Sequence, residues 1–168
     1  MTESIVVMGV SGSGKTRVGK ALARAFELPF LEGDDFHPAA NIAKMQAGQP
    51  LTDADRSPWL AALNQALQEQ QARGQAVVLA CSALKETYRQ QLQQDGVKLR
   101  FVYLHSSLDK LRQRVENRRT HFMPASLLQS QFDALEEPGH AIRVDALLPV
   151  GVIVREVLAA LSEYPSKT

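Results

Sequence analysis

A short segment near the N-terminus constrains the possible folds of this chain more than any other part of the sequence. Residues 9–16 run G-V-S-G-S-G-K-T, which fits the pattern G-x-x-x-x-G-K-[ST] at every position. The β-branched run before the segment is typical of a buried strand, and the apolar residues after it recur at the period of a helix. Glycines let such a loop fold with its N–H groups pointing inward, and the following helix presents its positive end to the same centre. The segment therefore predicts an anion-binding loop between a strand and a helix.

Each position of this loop has an expected part in holding a nucleotide. The predicted nucleotide-binding residues are Gly9, Val10, Ser11, Gly12, Ser13, Gly14, Lys15 and Thr16. The Lys15 ammonium is expected to reach the β- and γ-phosphates, and the Thr16 hydroxyl is expected to ligate Mg²⁺. ATP and Mg²⁺ are thus the predicted cofactors.

The rest of the chain alternates short apolar runs with helical patterns. Strands are predicted at residues 4–8, 29–31, 76–81, 99–104 and 141–144. Helices are predicted at residues 16–27, 38–47, 57–72, 85–94, 108–118, 125–135 and 150–161, with Asp53 or Asp55 capping the third of them. This order predicts an α/β fold in which a central parallel sheet of about five strands carries helices on both faces. We expect one domain over residues 1–168, with ligands beyond the carboxyl ends of the strands.

Charge and cysteine content narrow the possible partners and the compartment. The chain has 19 basic and 18 acidic residues, which argues against nucleic acid or an anionic membrane as the main partner. Its one cysteine, Cys81, cannot form an intrachain disulfide and suits a reducing compartment. The apolar run at residues 5–8 is far shorter than a membrane-spanning helix requires. We therefore expect a cytoplasmic protein that acts on a small molecule.

The acids near the loop indicate which kind of nucleotide-binding protein this is. The chain lacks the Asn/Thr-Lys-x-Asp element of GTPases, and the strand predicted at residues 76–81 ends without a carboxylate. The available acids are Glu32, Asp34 and Asp35, directly after the second strand. Phosphoryl transfer to an alcohol needs one carboxylate to orient the hydroxyl and accept its proton. We expect Asp34 to orient the hydroxyl and accept its proton, and Glu32 to act as an outer-shell magnesium ligand. The alternative is that these acids belong only to a solvated turn.

A basic stretch later in the chain is a candidate lid. It contains Arg114, Arg118 and Arg119 and is followed by His121 and Phe122. Arginines on a closing segment can neutralise transferring charge and exclude water. We expect a lid at about residues 118–136 with Arg118 as a catalytic residue, whereas Arg114 is equally compatible with a solvated helix face.

Several further blocks of residues follow the loop along the chain. They are Gly33-Asp34-Asp35-Phe36-His37-Pro38, Asn41-x-x-Lys44-Met45-x-x-Gly48-x-Pro50-Leu51, Asp53-x-Asp55-Arg56-x-Pro58-Trp59-Leu60, Cys81-Ser82-Ala83-Leu84-Lys85-x-x-Tyr88-Arg89 and His121-Phe122-Met123-Pro124 leading to Gln129-Ser130-Gln131-Phe132. Together with the loop, and in this order, these blocks resemble those of the gluconate kinase family. The resemblance implies a P-loop NTPase fold of the nucleoside-monophosphate-kinase type. It also implies Mg²⁺- and ATP-dependent phosphorylation of D-gluconate to 6-phosphogluconate, in a protein that is often a homodimer.

Gluconate is a polyol with a carboxylate, so its site needs a cation and several hydroxyl partners. The candidate cations are Arg56, Lys85 and Arg89, and Lys85 could instead face the transferring phosphate. The candidate hydroxyl partners are His37, Asn41, Lys44 and Tyr88. Trp59 is expected in the core rather than against a sugar. The alternatives are a kinase for another small hydroxy acid or polyol, such as idonate or shikimate, and a nucleotide-binding regulator without phosphotransfer.

Overall fold

The computed structural model of the chain describes residues 3–116 and 125–163. The strands are β1 (Ser4–Met8), β2 (Phe30–Glu32), β3 (Val78–Ala80), β4 (Leu99–His105) and β5 (Ile142–Asp145). The helices are α1 (Lys15–Phe26), α2 (Ala39–Gln46), α3 (Asp53–Ala72), α4 (Glu86–Leu92), α5 (Leu108–Glu116), α6 (Ala125–Ala134) and α7 (Val150–Glu163). The strands form one parallel sheet, as the sequence predicts, and their order in it is β2-β3-β1-β4-β5. No helix among the described residues has both the length and the apolar character to cross a membrane.

The two faces of the sheet carry separate hydrophobic clusters. Alternate residues of β1 point to opposite faces, as strand geometry requires. Val6 and Met8 pack in the cluster that contains Trp59 of α3. Ile5 and Val7 pack with residues of α1 and α7, such as Leu22. Both faces of the sheet are therefore covered by helices.

The start of α3 differs from the prediction. The helix begins at Asp53, four residues earlier than expected, and its cap is Thr52 rather than Asp53 or Asp55. The Thr52 hydroxyl accepts from the Asp55 amide at 3.0 Å, and the Asp55 carboxylate accepts from the Thr52 amide at 2.8 Å. This reciprocal capping box satisfies two amides that the helix leaves without partners. Because the helix starts early, Asp53 and Arg56 lie on its first turns rather than in a loop.

The strand order brings three carboxyl ends to one edge of the sheet. Ala80 of β3 lies in register with Glu32 of β2 on one side and with Val7 of β1 on the other. The loop after β1 and the acids after β2 therefore flank the same strand end. The functional residues are expected along this edge.

Candidate active site

The loop after β1 has the backbone of an anion cradle. Gly9, Gly12 and Gly14 have φ values of +151°, +81° and +94°, which other residues rarely adopt. A Cβ on Gly9 would also lie 2.8 Å from Ser13 Oγ and 2.9 Å from the Leu104 carbonyl oxygen. The sequence pattern is therefore required by the loop geometry itself.

The cradle contains a polar group without a protein partner. The Ser13 side chain is buried, and its hydroxyl makes no hydrogen bond in the described part of the chain. The first amides of α1, which begins at Lys15, have no acceptor within the helix. Buried polar groups normally have partners, so a cradle of this kind suits a bound phosphate.

Lys15 lies at the junction of the cradle and the neighbouring cleft. Its ammonium donates to the Val10 carbonyl oxygen at 3.0 Å. Burial lowers the pKa of Lys15 from its ordinary value, and the nearby carboxylates of Asp34 and Glu32 act in the opposite direction. A bound triphosphate would bring further negative charge to this group and favour its charged form.

Thr16 and Glu32 form an oxygen pair beside the cradle. The Thr16 hydroxyl donates to Glu32 Oε2 at 2.5 Å. Within residues 3–116 and 125–163 there is no cluster of three or more His, Cys, Asp or Glu side chains that could hold a metal ion. The hydroxyl and carboxylate oxygens suit Mg²⁺, which is commonly held by one or two protein ligands together with substrate phosphates and water. These two residues fit the metal role that the sequence predicts for them.

A polar cleft runs from the cradle towards α3 and α6. Its lining comes from five parts of the chain that are far apart in sequence. The lining residues are Ser11, Lys15, Asp34, His37, Met45, Gln49, Pro50, Leu51, Arg56, Trp59, Ser82, Leu127, Ser130 and Gln131. The cleft therefore joins the phosphate loop to the predicted acceptor residues Asp34, His37 and Arg56.

Asp34 is held in the cleft by its backbone and remains accessible. It lies in a 3₁₀ turn, Gly33–Phe36, where a Cβ on Gly33 would overlap the Ala80 carbonyl. Trp59 Nε1 donates to the Gly33 carbonyl oxygen at 2.8 Å and fixes this turn against α3. The Asp34 side chain is nevertheless 79% exposed. A fixed backbone with an open carboxylate suits contact with a substrate hydroxyl.

His37 and Trp59 form the floor of the cleft. Their rings stack with centroids 4.1 Å apart and an interplanar angle of 15°. Burial lowers the pKa of His37, and the Asp34 charge partly opposes this effect. A neutral imidazole both donates and accepts, so it suits a hydroxyl partner. Trp59 is buried, as expected, but it also shapes the cleft.

Arg56 is the predicted carboxylate-binding cation that lines the cleft. Its Nη1 donates to the Leu51 carbonyl oxygen at 2.7 Å and to the Tyr88 hydroxyl at 3.1 Å. The Tyr88 hydroxyl in turn donates to Asp53, which also pairs with Lys85 at 3.0 Å. Tyr88 therefore positions Arg56 directly, and Lys85 does so through Asp53 and Tyr88. Neither Tyr88 nor Lys85 lines the cleft.

Asn41 and Lys44 also act behind the cleft, where they join α2 to α3. The Asn41 amide donates to the Asp55 carbonyl oxygen at 2.8 Å, and Lys44 pairs with the Asp55 carboxylate at 2.7 Å. The Lys44 hydrogen bond, followed by that of the Thr52 amide, lowers the pKa of Asp55 to about 2. Neither Asn41 nor Lys44 lines the cleft, so the geometry favours structural roles for both.

Arg89 lies outside the cleft as well, and its surroundings differ from the sequence expectation. Its side chain is 3% exposed. The guanidinium donates to the Ala83 carbonyl oxygen at 2.7 Å and to the Glu136 carbonyl oxygen at 2.9 Å. A buried cation with these partners clamps the end of α6 to the loop after β3 and is not available to a substrate carboxylate.

Two further residues near the cleft were not assigned roles from the sequence. Gln131 of α6 accepts from the Ser11 amide through Oε1 at 2.6 Å, and its neighbour Ser130 also lines the cleft. Both belong to the Gln129–Phe132 block, which was the only signal for them in the sequence.

Arg114, whose role was left open, donates to the Ala146 carbonyl oxygen at 3.1 Å and approaches the phosphate loop at Gly14. Arg118 and the rest of residues 117–124 lie outside the described residues.

A parallel sheet with this loop, and an open carboxylate beside it, defines a P-loop kinase. A family model described as "AAA domain" matches residues 5–138. The chain is 49% identical to the gluconokinase of Gluconobacter oxydans over 157 residues, covering 92% of this chain and 88% of that protein. The chain belongs to the gluconokinase family.

Solved structures agree with this assignment. The crystal structure of a gluconokinase from Sinorhizobium meliloti is similar to this chain with a TM-score of 0.85 and 50% identity, covering 96% of this chain and 93% of that one. An unliganded sugar kinase from Janibacter is similar with a TM-score of 0.90 and 41% identity, covering 99% and 98% of the two chains. The predicted fold class is therefore confirmed, and the assignment of individual site residues stays a prediction.

Proposed function

We propose that the protein transfers the γ-phosphoryl group of ATP to D-gluconate and forms 6-phospho-D-gluconate. The observation that carries this proposal is the polar cleft that Lys15, Asp34 and Arg56 line together. A phosphate-binding lysine, a carboxylate for a hydroxyl and an arginine for a carboxylate are three groups that suit this reaction. Membership of the gluconokinase family supports the same substrate.

In the proposed mechanism, Asp34 and Lys15 act on opposite sides of the transferred group. Asp34 orients the terminal hydroxyl of gluconate and accepts its proton as the new oxygen–phosphorus bond forms. The bond between the γ-phosphorus and the bridging oxygen breaks at the same time, and ADP leaves with that electron pair. Lys15 and the loop amides stabilise the charge on the phosphoryl oxygens. Thr16 and Glu32 would hold Mg²⁺, which would neutralise phosphate charge when bound.

Closure of the site is part of the proposal. An open cleft would let water compete with gluconate for the phosphoryl group. We infer that residues 118–136 form a lid over the nucleotide and that Arg118 adds positive charge at the transferring phosphate. The described part of this segment, α6, lines the cleft through Leu127, Ser130 and Gln131, which supports a role in enclosing the substrate.

An assay of ADP release with a panel of sugar acids tests the function directly. With ATP and Mg²⁺ we expect the highest kcat/KM with gluconate, and lower values with idonate and shikimate. A preference for another acid would favour the alternative of a kinase for a related hydroxy acid. ATP binding without phosphorylation of any acid would contradict the proposed function and favour a nucleotide-binding regulator.

Arg56→Lys should weaken gluconate binding selectively. Lysine retains the charge but loses the planar fork that binds a carboxylate through two hydrogen bonds. A hydrogen bond to a charged group contributes about 1.5–3 kcal/mol, so KM for gluconate should rise roughly 10- to 100-fold. KM for ATP should change little, because Arg56 lies on the acceptor side of the cleft. Steady-state kinetics with each substrate varied in turn measures both values.

Arg73→Lys is the matched control, because Arg73 is exposed at the other end of α3. It should leave both KM values unchanged. If Arg56→Lys also left KM for gluconate unchanged, Arg56 would not be the carboxylate-binding residue.

The assembly and location of the protein belong to the same proposal. We infer that the protein is a homodimer in the cytoplasm and that each chain forms one kinase domain. The resemblance to gluconate kinases supports the dimer, and the free, buried thiol of Cys81 suits a reducing compartment. Sedimentation analysis of the purified protein would measure the oligomeric state.

A further inference from the structure

The hydrogen bond between Gln131 and the phosphate loop links two parts of the site. Ser11 belongs to the loop that cradles phosphate, whereas Gln131 lies 120 positions later on α6. The Gln131 oxygen is 2.6 Å from the Ser11 nitrogen, a short distance for a neutral pair. A side-chain carbonyl thus accepts from the amide of a residue that the sequence predicts to bind the nucleotide.

The helix that carries Gln131 is fixed at its C-terminal end. Arg89 donates to the Glu136 carbonyl oxygen at 2.9 Å, and the Glu136 amide donates to the Leu84 carbonyl oxygen at 2.8 Å. Leu128, one turn before Gln131, is buried in the core. The backbone of α6 therefore holds Gln131 near the loop.

Gln131 also faces the acceptor side of the site. It lines the same cleft as Asp34 and Arg56, together with Ser130 and Leu127 of its own helix. Its amide offers two donors and one acceptor, which suits the hydroxyls of a polyol. The same side chain therefore lies within the reach of two different ligands.

We propose that Gln131 is a latch through which nucleotide binding prepares the acceptor pocket. Without nucleotide, its oxygen occupies the Ser11 amide. The triphosphate, an ionised and stronger acceptor, takes that amide and releases the side chain. The released amide then turns to the hydroxyls of the acceptor. This inference rests on the proposed function for the identity of the acceptor.

The latch predicts a specific thermodynamic coupling. When gluconate binds to the free protein, it lacks the contact with Gln131. When it binds to the nucleotide complex, it gains that contact. Nucleotide should therefore increase the affinity for gluconate, and gluconate must increase the affinity for nucleotide by the same factor. One neutral hydrogen bond corresponds to a factor of roughly three to ten.

Calorimetric titrations of the full chain test this coupling. Gluconate is titrated with and without a saturating non-hydrolysable ATP analogue in the presence of Mg²⁺. The wild type should bind gluconate roughly three- to tenfold more tightly in the presence of the analogue. In Gln131→Leu the ratio of the two dissociation constants should fall to about 1, because leucine has similar size and no amide. The variant should also bind the analogue alone no more weakly than the wild type, since no competitor for Ser11 remains.

The matched control is Gln129→Leu on the same helix. Gln129 is exposed, and its amide donates to Asp133 at 2.9 Å, away from the cleft. This variant should retain the wild-type coupling. A purely structural role for Gln131 would instead lower the melting temperature and leave the coupling ratio unchanged, and that result would overturn the latch.

Gln131→Glu provides a second test that does not depend on the leucine variant folding. Glutamate retains the acceptor for Ser11 and adds a negative charge, so it should weaken binding of the ATP analogue more than tenfold. Unchanged analogue binding in this variant would contradict the latch. These titrations measure binding without turnover, whereas the proposed function is tested by wild-type phosphorylation of gluconate. A failure of the latch is therefore distinguishable from a failure of the proposed function.

Discussion

Asp34→Asn should lower kcat for gluconate phosphorylation by roughly 10²- to 10⁴-fold, the usual contribution of a general base. The amide keeps the size of the side chain but cannot accept the hydroxyl proton. Lys15 and the loop amides remain in place in this variant, so nucleotide binding should survive. Steady-state kinetics and titration with a non-hydrolysable ATP analogue measure the two effects separately.

The adjacent acid provides the control for this substitution. Asp35 is also exposed and lies in the same 3₁₀ turn, but it does not line the cleft. Asp35→Asn should therefore retain nearly full turnover. Near-normal turnover in Asp34→Asn would remove Asp34 from the base role and direct attention to the other acid at this edge, Glu32.

The phosphate loop was predictable because its function depends on local backbone chemistry. Eight consecutive residues specify the turn, and the φ values of Gly9, Gly12 and Gly14 explain why glycine stands at each of these positions. The strand before it and the helix after it follow from hydrophobic periodicity. The parallel sheet also follows from general rules for α/β folds, whereas the order of its strands is known only from the structure.

The polar residues behind the cleft were harder to assign, because their roles depend on contacts that are distant in sequence. Arg56, Lys85 and Arg89 are all cations near the predicted site, and residue type alone does not separate them. Arg56 lines the cleft, Lys85 pairs with Asp53, and Arg89 is buried among backbone carbonyl oxygens. The partner of Arg89 at Glu136 lies 47 positions away, a contact that no local pattern encodes.

Gln131 shows the same limit of sequence-based prediction for a residue that the sequence does not single out. Glutamine is common on exposed helices, and Gln129 on the same helix has only a local partner, Asp133. The spacing of the block gives no reason to prefer one glutamine over the other as a functional residue. The difference arises because the fold places Gln131, and not Gln129, within hydrogen-bonding distance of the Ser11 amide.

Lys15→Met should reduce kcat/KM for ATP by roughly 10²- to 10³-fold, the usual cost of removing one group that stabilises transition-state charge. Methionine fills similar space without the ammonium, so the Val10 carbonyl oxygen loses the Lys15 donor at 3.0 Å and keeps the Ser13 amide at 3.2 Å. Unlike Asp34→Asn, this variant should also bind the ATP analogue more weakly, because Lys15 attracts the phosphates in the ground state as well. Lys20→Met, at an exposed position of the same helix, should leave both quantities unchanged.

The pH dependence of nucleotide binding gives Lys15→Met a second readout. Burial lowers the pKa of Lys15 in the free protein, and a bound triphosphate should raise it by favouring the charged form. Binding then takes up a proton when the pH is above the lowered pKa of the free protein, so the affinity for the ATP analogue should fall as pH rises through that pKa. The methionine variant lacks this group and should lose that decrease in affinity. If the variant kept both wild-type turnover and the same decrease, Lys15 would not be the residue that holds the transferred phosphate.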